Sequence, residues 1–261
     1  MRLQPKKRLG QVFLVNHHTQ NKIIESVCLK PDDQVLEIGP GEGVVTRKIA
    51  PRVKKLVAVE LDKGLCAILN KEFRLNKNVL IVHKDVLKLK FRDYFGRAKV
   101  KVIGNIPYYI STQIIEFLLH NSKHIKEAYL MLQKEFAQRI VSKPADKDRG
   151  SLSCFVQYYA AADILFYIKK GCFWPVPKVD SAFVRLKIRE APPVSVKSKE
   201  MFFKIIRASF MQRRKTLRNS LAKIIPREKL RHFFSLYHLD QDIRPQEMGL
   251  EDFAHLSNLV S

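Results

Sequence analysis

The sequence predicts an α/β fold: a doubly wound domain on a mostly parallel sheet over residues 1–191, then a small helical domain over residues 192–261. Short apolar strands such as "QVLEIG" and "KLVAVEL" alternate with helical stretches, the pattern of a parallel sheet covered on both faces. Glycines and acidic or amide residues close successive strands, where open α/β sheets bind ligands. Beyond "REAPPVSVKSKE" only helical periodicity remains.

The elements follow in order. "MRLQPKKRLGQ" is a basic arm. "TQNKIIESVCL" puts Ile23, Ile24 and Val27 on one helical face, with Thr19 as the expected N-cap. After the turn Pro31-Asp32-Asp33 come the strand "QVLEIG", a helix beginning in "EGVVTRKIAPRV", the strand "KLVAVEL", the helix "DKGLCAILNKEF" and the strand "NVLIVHKD". "VKVIGN" is a fourth strand leading to the helix "STQIIEFLLHN". "EAYLMLQKEFAQRIV" reads as a strand running into a helix, "SKPADKDRGS" as an exposed loop, and "SAFVRLKI" as a late strand. In the last domain Phe202, Ile205, Ile206, Phe210, Leu217, Leu221 and Ile224 form the expected apolar stripe.

Charge narrows the function classes. Among 261 residues, 48 Lys and Arg face 25 acidic residues, a formal net charge of +23. An enzyme of small neutral metabolites has no need of that excess, whereas a polyanion partner does. No apolar run reaches the roughly 20 residues of a spanning helix, and no signal-peptide pattern opens the chain. A cytoplasmic protein with a nucleic-acid partner and no membrane role is expected. Cys28, Cys66, Cys154 and Cys172 lack metal or disulfide spacing and read as buried reduced thiols, and His17-His18 has no ligand cluster beside it. No metal is expected.

The strand ends define a cofactor crevice. The first ends in Glu37-Ile38-Gly39-Pro40-Gly41-Glu42-Gly43, the second in Glu60-Leu61-Asp62, the third in Asp85-Val86, the fourth in Asn105-Ile106-Pro107-Tyr108. A dinucleotide turn wants G-x-G-x-x-G; here the third glycine, Gly43, falls one position early, and Glu42 puts a negative charge where a pyrophosphate would lie. A phosphate-free, positively charged ligand suits this rim. Glu60 stands where an acid accepts both ribose hydroxyls, and Asp85 where one accepts the exocyclic amine of adenine. A nucleoside with a cationic amino-acid tail satisfies the set, and S-adenosyl-L-methionine is such a molecule. Gly39, Gly41, Glu60, Leu61, Asp85, Val86 and Asn105 are the cofactor-binding candidates from these ends.

The fourth strand end specifies the acceptor. An amino group conjugated to a base ring is a poor nucleophile because its lone pair is delocalised. Oxygens that accept its two N–H bonds favour a pyramidal nitrogen. The Asn105 side chain and the Ile106 carbonyl can do so, with Pro107 fixing their relative direction and Tyr108 offering a ring face to a base extruded from its helix. Asn105, Ile106, Pro107 and Tyr108 are therefore catalytic candidates, and an amino-group methyltransferase is expected, with S-adenosylhomocysteine as product.

In order along the chain, "KKRLGQVFL", "VLEIGPGEG", "VELD", "GNIPYYIS", "FWPVPKVDSAFVRL" and "QRRKTLRNSL" resemble the motifs of the rRNA adenine N6,N6-dimethyltransferases. The similarity is greatest to the group that dimethylates two adjacent adenosines near the 3′ end of small-subunit (16S) rRNA. The resemblance spans essentially the whole chain. It implies a seven-stranded class I methyltransferase fold and cofactor contacts from Leu14 and the "GQVFL" segment containing Val12. It also implies a second ring, Phe173, facing Tyr108 across the target adenine. Two positions depart from the family's usual pattern: Val12, where a polar residue is usual, and Tyr109, often Asn in bacterial members.

RNA contacts are expected from Lys6, Lys7 and Arg8 on the arm, from Lys178 in "PVPKVDS", and from Arg213, Arg214, Lys215 and Arg218, read as lying on the first long helix of the last domain. Phosphate neutralisation supplies affinity rather than base identity. The expected partner is small-subunit rRNA in a pre-30S particle, met by a monomer. The competing readings are an antibiotic-resistance methyltransferase of large-subunit rRNA and a non-catalytic assembly or transcription factor on the same fold. The intact strand-end set argues against the latter.

Overall fold

Strands form where runs of Val, Ile and Leu can be covered from both sides. The computed structural model describes residues 4–212 and 215–261. Its strands are β1 (Phe13–Leu14), β2 (Gln34–Ile38), β3 (Lys55–Glu60), β4 (Val79–His83), β5 (Val100–Asn105), β6 (Ile125–Gln133), β7 (Ala160–Ile168), β8 (Phe173–Trp174) and β9 (Ser181–Ile188). Seven make one sheet in the order β4-β3-β2-β5-β6-β9-β7. The pairs β2–β3, β2–β5, β3–β4 and β5–β6 are parallel, and β9 runs antiparallel to β6. Val35, Leu36, Leu56, Val57, Val100 and Val102 of the central strands are fully buried, as two-sided helix cover requires. The expected α/β class with a mostly parallel seven-stranded sheet is the observed one.

The order positions the site. From β2 the chain steps outward to β3 and β4, then returns to β5 on the other flank of β2. The reversal opens a crevice at the carboxyl ends of β2 and β5, where Ile38 and Gly104 are in register. One buried lysine steadies the opposite end of β5. Lys101 Nζ pairs with Asp33 (2.9 Å) and donates to the carbonyls of Val27 (3.2 Å) and Cys28 (2.7 Å), capping the helix His17–Val27.

The chain divides into two compact units. One runs to Ala137 and resumes over Ala161–Ile188; the other comprises Gln138–Ala160 and Arg189–Ser261. The break at Ile188/Arg189 falls just before the expected boundary at 191/192, but the helical unit also takes in a segment from mid-chain. The reason is apolar: Cys154 and Tyr158, on the helix Ser151–Tyr159, are buried in one cluster with Phe202, Ile206, Leu217, Phe233 and Phe253. That helix and β7 were not anticipated from the sequence, nor was the two-stranded ribbon of β1 and β8.

Other local readings shift for identifiable reasons. The first helix is capped by Asn16, not Thr19: Asn16 Oδ1 accepts both the Thr19 N–H (2.8 Å) and its hydroxyl (2.9 Å). The helix after the glycine turn spans only Thr46–Ile49, because the chain tightens to a 3₁₀ turn at Pro51. Ile225, not Ile224, is the buried member of its pair. Cys66 and Cys154 are buried, whereas Cys28 is exposed and all four thiols are free. The first long helix ends at Phe210, so Lys215 and Arg218 do not lie on it. Lys215 precedes Thr216, the cap of the short helix Leu217–Leu221 that carries Arg218. Arg213 and Arg214 lie outside the described residues.

The polar stretch 142–151 is exposed only in its middle. Arg149, 1% exposed, donates to the carbonyls of Ser142 (3.0 Å) and Met248 (3.2 Å) and to Gln157 Oε1 (3.1 Å). Removing a buried donor that serves three acceptors costs on the order of 3 kcal/mol. Arg149→Met should therefore lower the urea midpoint of the full chain clearly; an unchanged midpoint would show that the hub contributes no stability.

Candidate active site

The crevice is lined by the ends of β2, β3, β4 and β5 and by the arm segment Leu9–Leu14. Every residue expected to bind cofactor lines it: Val12 and Leu14 from the arm, Gly39 and Gly41 from the glycine turn, then Glu60, Leu61, Asp85, Val86 and Asn105. Gly39 and Gly41 adopt φ of +67° and +57°, the region that favours glycine. A Cβ on Gly39 would meet the Asn105 carbonyl at 3.2 Å, so a side chain there would push against the end of β5 as well as strain the backbone.

Glu60 is held by the backbone. Its Oε1 accepts the N–H groups of Leu61 (2.8 Å) and Asp62 (2.9 Å), and Oε2 accepts that of Gly41 (3.2 Å). Burial raises its pKa, with these hydrogen bonds acting in the opposite direction. A carboxylate offers about four acceptor sites, and these three N–H groups fill all but one, so the oriented group can still receive a ribose hydroxyl at Oε2. Asp85 uses Oδ1 to cap the turn at Leu87 (3.0 Å), which leaves Oδ2 for an exocyclic amine. Leu61 and Val86 add apolar surface to the same rim.

At the end of β5, the Asn105 Nδ2 donates to the Val12 carbonyl at 2.8 Å. A carbonyl only accepts, so this contact fixes which end of the amide is nitrogen and leaves Oδ1 as an acceptor in the crevice. Val12, despite its apolar side chain, thus makes a polar contact in the crevice through its backbone carbonyl. Ile106, Pro107 and Tyr108 line the same crevice. The Tyr108 hydroxyl pairs with Ser181 Oγ at 2.7 Å.

Phe173 is placed differently from the expectation. It pairs with Leu14 through the β1–β8 ribbon, is 1% exposed, and is buried in the core cluster instead of lining the crevice. The ribbon register pins its backbone while its ring joins the core, so it presents no second face to a base here.

The arm is strapped over the crevice. Asp62 accepts from Lys6 Nζ (2.8 Å), Gln11 Nε2 (3.0 Å) and the Gly64 N–H (2.9 Å). Burial works against its charge, but these partners win and bring its pKa to about 2. A depressed carboxylate stabilises the fold above its unfolded pKa and loses that contribution only as pH falls toward 2, so the latch holds across neutral pH. Gly10, at φ +61°, passes close enough to Tyr109 that a Cβ would meet its ring at 3.1 Å.

The basic candidates divide. Lys6 is ion-paired with Asp62 while its side chain stays 46% exposed, and Arg218 sits near Asp242 (3.7 Å) and Gln241 (3.3 Å). Arg8, Lys178 and Lys215 are exposed, and Lys7 belongs to the turn Lys7–Leu9.

Glu37 was not singled out as a site residue, although an acid inside an apolar strand is a visible anomaly. It lines the crevice, is 3% exposed, and its Oε2 has no hydrogen-bond partner among the described residues. Burial pushes its pKa up to about 8, the Thr46 hydroxyl beside it pulls downward, and the Glu60 charge adds to the rise. With a folded pKa above the unfolded one, stability is full below about 4.5 and falls as pH rises toward 8. The loss is at most about 5 kcal/mol. Glu37→Gln, isosteric with the protonated acid, should flatten that slope between pH 5.5 and 8.5 in urea unfolding. Equal slopes in both proteins would mean that Glu37 titrates normally.

Sheet order, switch-point crevice and strand-end acids define a Rossmann-like methyltransferase. A family model described as "Ribosomal RNA adenine dimethylase" matches residues 2–261. The chain is 39% identical over 256 residues to "Ribosomal RNA small subunit methyltransferase A" of Clostridium acetobutylicum, covering 97% of this chain and 93% of that one. The protein of the same name from Geobacillus thermodenitrificans is 40% identical over 265 residues, covering 98% and 90%. Among solved structures, a dimethyladenosine transferase from Plasmodium falciparum aligns with TM-score 0.78 at 25% identity, covering 94% and 95%. The 23S rRNA methyltransferase ErmE aligns with TM-score 0.75 at 26% identity, covering 95% and 99%. The chain belongs to the ribosomal RNA adenine dimethylase family, and it is an rRNA adenine dimethyltransferase. Among the described residues no helix is long and apolar enough to cross a membrane.

Proposed function

We propose that the protein transfers methyl groups from S-adenosyl-L-methionine to N6 of two adjacent adenosines near the 3′ end of small-subunit rRNA, two to each, during assembly of the small subunit. It acts as a cytoplasmic monomer on a pre-30S particle. The observation that carries the chemistry is the Asn105 amide, whose nitrogen is committed to Val12 so that its oxygen is available to a substrate amine. When bound, the cofactor supplies a sulfonium-activated methyl group and leaves as S-adenosylhomocysteine. Glu60 and Asp85 hold the ribose and adenine ends of that cofactor, and Glu42, on the same rim, gives it the sign its cationic tail needs.

Asn105 Oδ1 and the Ile106 carbonyl accept the two N6 hydrogens of the flipped base, directing the nitrogen lone pair at the methyl group. Tyr108 stacks on the base, worth roughly 1–3 kcal/mol. As the N–C bond forms, the amine nitrogen becomes cationic and acidic, and it releases its proton to water; no strong protein base is required. Alignment supplies most of the rate. The choice of the small subunit rests on relatives at 39% and 40% identity named for it, against 26% for the large-subunit enzyme. Arg8, Lys178, Lys215 and the pair Arg213-Arg214 are the proposed phosphate contacts.

The test is to incubate the protein with methyl-labelled cofactor and, separately, with unmethylated small subunits and large-subunit rRNA, then map the label. Dimethyladenosine at an adjacent pair near the small-subunit 3′ end is expected. Label confined to large-subunit RNA would overturn the substrate assignment.

A further inference from the structure

We propose that Ser181 is a positioning residue that sets the plane of the Tyr108 ring against the acceptor base; this rests on the reading above that Tyr108 stacks on that base. Tyr108 opens the 3₁₀ turn Tyr108–Ile110 directly after Pro107. Proline fixes the backbone there, but the tyrosine side chain keeps two rotatable torsions, and its terminal one is broad. Backbone rigidity alone therefore leaves the ring free to swing. The hydroxyl at its far end is instead tied to Ser181 Oγ at 2.7 Å.

The anchor itself is immobile. Ser181 is 0% exposed and is the first residue of β9, in register with Gln133 of β6. The preceding residue is pinned on both sides: the Asp180 carbonyl accepts the Lys134 N–H (3.0 Å), and its Oδ1 accepts the Lys170 N–H (2.9 Å). The ring is thus fixed at one end by the turn after β5 and at the other by the start of β9, two strands that both pair with β6. The face that lines the crevice has its plane defined by the sheet. A stacked base takes its tilt from that plane, and the tilt determines whether N6 meets Asn105 Oδ1. Misplacement on the ångström scale can cost about a hundredfold in rate.

Three variants of the full chain test this: Ser181→Ala, Tyr108→Phe, which deletes the same hydrogen bond from the other side, and the pair combined. With unmethylated small subunits, each single variant should lower kcat roughly 10- to 100-fold. Cofactor Kd by calorimetry and the thermal midpoint should stay close to wild type. The combined variant should be no slower than the slower single one, because one bond is lost in all three. Ser181→Thr, which keeps a hydroxyl, should restore most of the rate. Wild-type kcat in Ser181→Ala, or a combined loss equal to the product of the single losses, would overturn the proposal. A lowered midpoint with unchanged kcat would do the same and assign Ser181 to the fold alone. Tyr108→Ala separates the two readings: if it turns over normally, the stacking role of Tyr108 fails and the Ser181 proposal fails with it. If it is slow while Ser181→Ala is normal, only the latter fails.

Discussion

Asn105→Ala should lower the rate of methyl transfer on the order of 10³-fold while the chain stays folded. The side chain does two things at once. On the proposed mechanism its oxygen accepts from the base nitrogen, and the loss of one preorganised polar group at a reacting centre typically costs 10²–10³-fold. Its nitrogen holds the Val12 carbonyl, and losing one such bond costs about 1 kcal/mol of stability. Asn105→Asp divides the two functions, since it keeps an acceptor oxygen but sets a second oxygen against the Val12 carbonyl in place of a donor. Single-turnover rates at saturating cofactor, with a thermal scan of each variant, make the measurement. An Asn105→Ala rate within tenfold of wild type would remove the residue from the chemistry.

Glu60→Ala should weaken cofactor binding by about 10²- to 10³-fold, some 3–4 kcal/mol. A hydrogen bond from a ribose hydroxyl to this charged acceptor, as proposed, accounts for much of that. The rest comes from the protein: Leu61 and Asp62 lose the Oε1 they share and Gly41 loses Oε2, so the glycine turn loosens. Because the loss falls on binding, saturating cofactor should recover much of the turnover, in contrast to Asn105→Ala. Calorimetric titration with S-adenosylhomocysteine reads the effect directly. A Kd within threefold of wild type would show that the ribose is held elsewhere.

Both residues were legible in the sequence because each closes a strand, and strand ends in a parallel sheet converge on one rim whatever the loops do. Asp85 and the glycine turn were readable for the same reason. Phe173 was assigned by resemblance to a role that the structure does not present, because ring burial depends on the ribbon it joins with Leu14. Lys6 read as a basic RNA contact of the arm, and nothing in the sequence showed its ion pair with Asp62, 56 residues away. Ser181 gave no signal of its own; its partner hydroxyl is 73 residues distant. Arg149 looked like part of a solvated loop until three acceptors from separate segments surrounded it.

By itself the sequence determined the α/β class, the parallel strands, the acidic rim and the amide that closes β5. Apolar periodicity, glycine placement and strand-end chemistry are properties of neighbouring residues, and local physics decides them. The tertiary structure alone decided the arm latched on Asp62, the mid-chain helix that joins the C-terminal unit, the buried Phe173 and the tether on Tyr108. Each of these is a pairing of groups far apart along the chain. Such pairs form only when the sheet order brings their strands and turns together, and no periodicity in the sequence encodes that distance.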